Sequence, residues 1–106
     1  MAYKAYFKTG LDQREIVMDV KVSADVKVGN LVTLTGTGSS ATIAAASSGT
    51  PTAGQYIVAQ SDMTMGKRDY STHEFVYSDV VKASTALKKV ALFRVNDPSD
   101  VYTMAE

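Results

Sequence analysis

A chain of 106 residues is long enough for one domain with its own core and too short for a second independent one. Its 11 basic and 11 acidic side chains cancel, so no global field gathers a polyanion and nucleic acid is not expected as a partner. Cysteine is absent, which removes disulfides and thiolate metal sites together. Apolar residues at 45% and charged residues at 21% are ordinary globular usage, against disorder of the whole chain.

No apolar run approaches the roughly 18 to 20 residues that span a bilayer, so no membrane association is expected. The start MAYKAYFKTG lacks an apolar stretch followed by a small-residue cleavage site. The chain therefore reads as soluble, cytosolic in origin and unprocessed.

Residues 1–8 alternate, with Tyr3, Ala5 and Phe7 on one side and Lys4, Tyr6 and Lys8 on the other. This fits either an extended N-terminal arm or the first strand of the chain's own barrel, with lysines guarding its edge. Thr9-Gly10-Leu11-Asp12 reads as a turn. From Glu15 to Val22, Ile16, Met18, Val20 and Val22 alternate with Glu15, Val17, Asp19 and Lys21, which predicts a strand buried on one face.

Val26-Lys27-Val28-Gly29-Asn30-Leu31-Val32-Thr33-Leu34 reads as a strand entering a glycine corner and leaving as another, with Asn30 suited to a positive φ. Residues 35–54 then shift to Ser, Thr, Gly and Ala, interrupted by Ile43 and Pro51. This is expected to be a loop region with a short strand at Ala41–Ala45, either mobile or ordered by contact with another chain.

Gln55–Ala59 is compact and β-branched, and 61–69 reads as a long connection. Residues 72–81 regain β composition around Phe75, Val76 and Tyr77. Val80, Val81, Ala83 and Leu87 give partial helical spacing over 79–87, which Ser84 and Thr85 weaken. Lys89–Val95 is a strong last strand ended by Asn96-Asp97-Pro98, and the tail 96–106 carries Val101, Tyr102 and Met104, enough to dock.

Short strands between turn signals, with no long helical period, predict an all-β fold. We expect a small single-domain antiparallel β-barrel or sandwich over 1–106, with an extended N-terminal arm and long loops. The expected core is Ile16, Met18, Val20, Val28, Leu31, Val32, Leu34, Tyr56, Val58, Phe75, Val90, Leu92 and Phe93.

Candidate chemistry is sparse. His73, the only histidine, has Glu74 and Asp69 nearby but no nucleophile elbow, so a surface strand histidine is favoured over a general base. One histidine with scattered Asp12, Asp19, Asp25, Asp62 and Asp69 makes neither a zinc set nor an EF-hand loop. Gly36-Thr37-Gly38-Ser39-Ser40 lacks the lysine and the following helix of a phosphate loop. Lys67 and Arg68 beside Tyr70 lie between Asp62 and Asp69, which favours a solvated or protein-facing loop over a nucleic-acid contact. We therefore expect no enzyme, no cofactor and no metal.

The order of elements resembles the small capsid decoration, or cement, proteins of tailed bacteriophages. The residues that carry the resemblance are Val26 to Leu34 with their glycine corner, and Gly54-Gln55-Tyr56-Ile57-Val58-Ala59 after a Ser/Thr/Gly loop, within Asp19 to Gln60. It implies a compact β-barrel or β-tulip on the capsid exterior of a virion, without enzymatic activity, that bridges major capsid protein subunits and stabilises the lattice. The partners so implied are the major capsid protein and copies of the protein itself, as a trimer or as lattice neighbours. The alternatives are a head-tail joining or tail protein, and a small hydrolase using His73.

Contact residues follow from side-chain chemistry. Aromatics crowded into a terminus suit an arm that adds to a neighbour's sheet, and methionines in a polar connection suit an irregular contact surface. The expected protein interface is accordingly Tyr3, Tyr6 and Phe7, with Met63, Met65, Lys67, Arg68 and Tyr70.

Overall fold

The computed structural model describes residues 2–9, 14–62, 67–69, 74–76 and 79–106, with backbone alone at 61–62, 67–69 and 74–76. Among the described residues eleven strands follow in order: β1 Tyr3–Phe7, β2 Glu15–Val22, β3 Val26–Lys27, β4 Leu31–Thr35, β5 Thr42–Ala45, β6 Tyr56–Asp62, β7 Lys67–Asp69, β8 Glu74–Val76, β9 Val80–Val81, β10 Ser84–Arg94 and β11 Val101–Ala105. Single 3-10 turns lie at Gly38–Ser40 and Pro98–Asp100. The fold is all-β, as the alternation predicts.

Five strands close a barrel in the order β10-β2-β5-β4-β6. Four junctions are antiparallel, and the β2–β5 junction, Lys21 opposite Thr42 and Val22 opposite Ile43, is parallel. A ring with an odd number of strands cannot alternate direction all the way round, so one parallel neighbour is forced. The barrel is antiparallel, as expected, at every junction but this one.

The interior is aliphatic. Val20 and Val22 of β2, Val32 of β4, Ile43 of β5, Tyr56 and Val58 of β6, and Val90 and Leu92 of β10 form one buried cluster. Val26 of β3 and Val81 of β9 are opposite one another outside the ring, yet both belong to this cluster, so the β3–β9 ribbon plugs the barrel. Met18, Val28 and Leu34, expected as core, pack on it only partly buried.

A second buried cluster lies outside the barrel wall. Leu31 and Ile57, each adjacent in sequence to a barrel-facing residue, meet Ala5, Ala46, Val95 and Val101, with Phe7 and Phe93 at the margin. Successive residues of a strand face opposite sides, so Leu31-Val32 and Tyr56-Ile57-Val58 are apolar on both faces because both faces are covered. The cover is β1 and β11, paired antiparallel from Tyr3 opposite Ala105 to Phe7 opposite Val101.

Residues 3–7 are therefore a strand of this chain, but one paired with β11 outside the barrel ring and not part of it. Tyr3–Phe7 pairs with the tail of its own chain, and the Ala5 amide also donates to the Gly29 carbonyl at 2.9 Å. The end of this pair is pinned by Asp100, whose carbonyl accepts the Lys8 amide at 2.7 Å. Its buried carboxylate accepts the Thr9 amide at 2.9 Å and the Thr9 hydroxyl at 2.7 Å.

Three local expectations change. The helix over 79–87 is absent: Val80–Val81 pairs with β3 and β10 starts at Ser84. Ser84 stands opposite Val22 and Lys88 opposite Val20, so Thr85, Ala86 and Leu87 face Lys21 alone in a bulge. The positive φ of the corner falls on Gly29, at +92°, and not on Asn30. Asn30 is instead 2% exposed, its Oδ1 accepting the Lys27 amide at 2.8 Å and its carbonyl accepting the Val58 amide at 3.0 Å.

The small-residue region 35–54 also contributes more than a loop. Ala41, Ile43 and Ala46 are buried, and the Ala46 amide donates to the Leu31 carbonyl at 3.0 Å. Its exposed flanks are the turns at 36–40 and 47–50.

Candidate interaction surface

The β1–β11 pair has an inner and an outer face, and the sequence sorts its side chains between them. Tyr3 and Phe7 share the inner side with buried Ala5 and are half-buried themselves. The Phe7 ring meets Phe93 edge-on, centroids 5.9 Å apart and planes at 86°. Phe7, one of the three N-terminal aromatics predicted for the interface, thus packs on the second core, while the Tyr3 ring lies beside Gly49.

Tyr6 points outward. It stacks on Tyr102, directly opposite on β11, with centroids 5.1 Å apart and an interplanar angle of 22°. Offset stacking of this kind adds about 0.5 to 1.5 kcal/mol beyond burial, yet Tyr6 remains 40% and Tyr102 46% exposed. Met104, opposite Lys4, is 58% exposed. Lys4 and Lys8 are exposed on the same side as Tyr6, so the outer face is an aromatic and thioether strip flanked by two ammonium groups, with Glu106 at its far end.

Tyr102 and Met104 were absent from the predicted interface although a signal existed. Val101-Tyr102-Thr103-Met104-Ala105 alternates like a strand, and an uncharged strand with large outward side chains is a surface to explain. Met63, Met65, Tyr70 and His73 lie outside the described residues. Lys67 and Arg68 are in β7, their backbones opposite Val76 and Phe75 of β8.

No protein-family model, curated protein or solved structure matches this chain.

Two further surface features bear on the small-residue region. A groove of about 440 Å³ is lined by Met18, Leu34, Ala41 and Leu87, with Asp19 and Thr37 at its rim. The Gly36–Ser40 turn beside it uses its polar groups internally: the Ser40 hydroxyl donates to the Thr37 carbonyl at 2.8 Å and accepts the Thr37 amide at 3.3 Å.

Electrostatics on the described surface are local. Asp25 accepts the Ala83 amide at 2.8 Å, and that bond, assisted by Lys82 at 3.6 Å, holds its carboxyl below the usual range. The Ser99 hydroxyl and amide do the same for Asp97 at the start of the Pro98–Asp100 turn. Lys89 meets Asp19 across β10 and β2 at 3.6 Å, both side chains largely exposed, a pair of little energetic weight. Among the described residues no group of three or more potential metal ligands occurs.

Proposed function

We propose that this protein is a virion structural component that binds the exterior of a bacteriophage capsid and stabilises the lattice by bridging major capsid subunits. The observation that carries the reading is the division of the fold into a filled barrel and an outward-facing apolar strip. The aliphatic interior leaves recognition to the outside, and Tyr6, Tyr102 and Met104 stay exposed where a monomer gains nothing by exposing them. The likeness of Val26 to Leu34 and Gly54 to Ala59 to decoration proteins, together with balanced charge, supports the same reading.

A small β-domain suits such a task because its closed barrel presents a rigid surface and loses little entropy on binding. The test is co-sedimentation of the purified protein with emptied capsids of the phage that encodes it, followed by localisation on the particle. Saturable binding over the capsid surface is the expected result. Binding confined to the portal vertex or the tail would assign it to joining or tail structure instead, and no binding to any particle would overturn the reading.

A further inference from the structure

One ladder holds the two ends of the chain side by side. The Lys8 amide donates to the Asp100 carbonyl and the Glu106 amide to the Ala2 carbonyl, and between these bonds Tyr6 stands directly opposite Tyr102. Opposed residues of an antiparallel pair keep their Cβ atoms about 4.5 to 5.5 Å apart. The two rings accordingly lie stacked, with 5.1 Å between centroids and 22° between planes.

Burial sorts the six tyrosines of the chain. Tyr56 belongs to the barrel interior and is 8% exposed, and Tyr3 is half-buried beside Gly49. Tyr6 and Tyr102 both reach solvent, while Tyr70 and Tyr77 lie outside the described residues. Among the described residues, Tyr6 and Tyr102 are therefore the one pair of tyrosines that is both in ring contact and open to a reagent. That combination suits oxidative joining of phenols. A phenol that loses one electron and one proton is a radical with spin on the ring carbons ortho to oxygen, and two such rings join only when they meet. A pair already in contact needs no diffusive encounter.

We propose that Tyr6 and Tyr102 form a site of covalent modification, an intramolecular dityrosine cross-link made by a one-electron oxidant of the peroxidase class acting with hydrogen peroxide. Each phenol gives up its O–H hydrogen as one electron and one proton. The two radicals form a carbon–carbon bond between ring positions ortho to the oxygens, and the hydrogen on each joined carbon moves to its ring oxygen, which restores both phenols. The two electrons and two protons released reduce one hydrogen peroxide to two waters. The product ties β1 to β11 close to the chain ends, where strands otherwise fray. It closes a loop of nearly the whole chain, which removes more freedom from the unfolded state than a short loop does. It also locks the ribbon that covers Leu31, Ile57 and Val95. Met104, 58% exposed on the same face, is a competing target that gains an oxygen atom, so mass separates the two products. The site needs only solvent and an oxidant, and it stands independently of the capsid-binding reading.

The experiment treats the dilute full chain with a haem peroxidase and limiting hydrogen peroxide, and follows dityrosine fluorescence, intact mass and peptide mapping. The expected product is a monomer lighter by two hydrogens, with Tyr6 and Tyr102 joined in the mapped peptides and a higher melting temperature than the untreated chain. In denaturant the effective concentration of the two rings is lost, and the yield is expected to fall at least about tenfold. Tyr6→Phe and Tyr102→Phe keep a ring in the stack and remove one phenol, so each is expected to keep a cooperative melt and lose this product. No dityrosine in the folded chain, or an equal yield in denaturant, overturns the proposal. A cross-link mapped to Tyr70 or Tyr77 overturns it in favour of another pair, and one found only at twice the monomer mass overturns it in favour of joining between copies. A cross-linked monomer that melts no higher than the untreated chain overturns the stapling role.

Discussion

Phe7 and Phe93 meet edge to face, 5.9 Å between centroids, and this contact joins the N-terminal strand to the outer wall of the barrel. Burial of Leu31, Ile57 and Val95 depends on the same cover. Truncating a fully buried Phe costs about 3 to 5 kcal/mol, so half-buried Phe7 is expected to lose roughly 2 kcal/mol as alanine. Deleting residues 1–8 should be more damaging, because it strips β11 of its partner as well. Denaturant titration of both variants measures this, and an unchanged midpoint for the deletion would make residues 1–8 an arm after all.

Leu92 and Leu31 lie in different clusters and are both fully buried. Each is expected to lose about 2 to 5 kcal/mol as alanine, whereas exposed Leu87 should change stability by less than about 0.5 kcal/mol. Comparable losses at positions 92 and 31 would establish that the second cluster carries as much weight as the barrel. A negligible loss at Leu31 would mean that the β1–β11 cover contributes little.

The two glycine turns should respond differently to alanine. At Gly29, φ is +92° and a Cβ would meet nothing within 4 Å, while at Gly36, φ is +77° and a Cβ would lie 2.5 Å from the Ser40 carbonyl oxygen. Left-handed strain alone is about 1 to 2 kcal/mol, so Gly29→Ala is expected near that figure and Gly36→Ala above it. Thermal melts of the two variants side by side decide the order.

Asn30→Ala is expected to cost about 0.5 to 1.5 kcal/mol, because the Lys27 amide loses its partly buried bond to the Asn30 side chain. The corner joins β3, β4 and β6, so exchange at Lys27 and Val58 should quicken together. Protection retained at both amides would show that the Asn30 side chain does not hold the corner.

Asp25 and Asp97 have carboxyls held below their usual range by hydrogen bonds. A carboxylate that is more acidic when folded binds fewer protons than in the unfolded chain, so its contribution is full above about pH 4 and is lost as pH falls through the lower, folded value. Asp25→Asn should therefore flatten part of the decline in stability on the acid side of pH 4 and leave the slope near pH 7 unchanged. Melting temperatures measured at intervals below pH 5 test this, and identical acid slopes would remove Asp25 from the account.

Local pattern alone determined the all-β class, the buried face of β2 at Val20 and Val22, and the strands at Tyr56 and Val90, because a two-residue period against a covered face is written into neighbouring residues. It also marked the short strand around Ile43 and a tail able to dock. What it left open were the matters decided by residues far apart in the chain. Whether Tyr3–Phe7 is an arm or a strand depends on β11 nearly a hundred residues away. Val80 and Val81 became a strand instead of part of a helix because Val26 and Lys27 offered them a ladder. Ile57 was passed over because alternation presumes one dry face, and only the tertiary structure supplies the second cover. The candidate surface divides the same way: Tyr6 could be singled out from residues 1–8, but its stack on Tyr102 exists only once the two ends of the chain lie side by side.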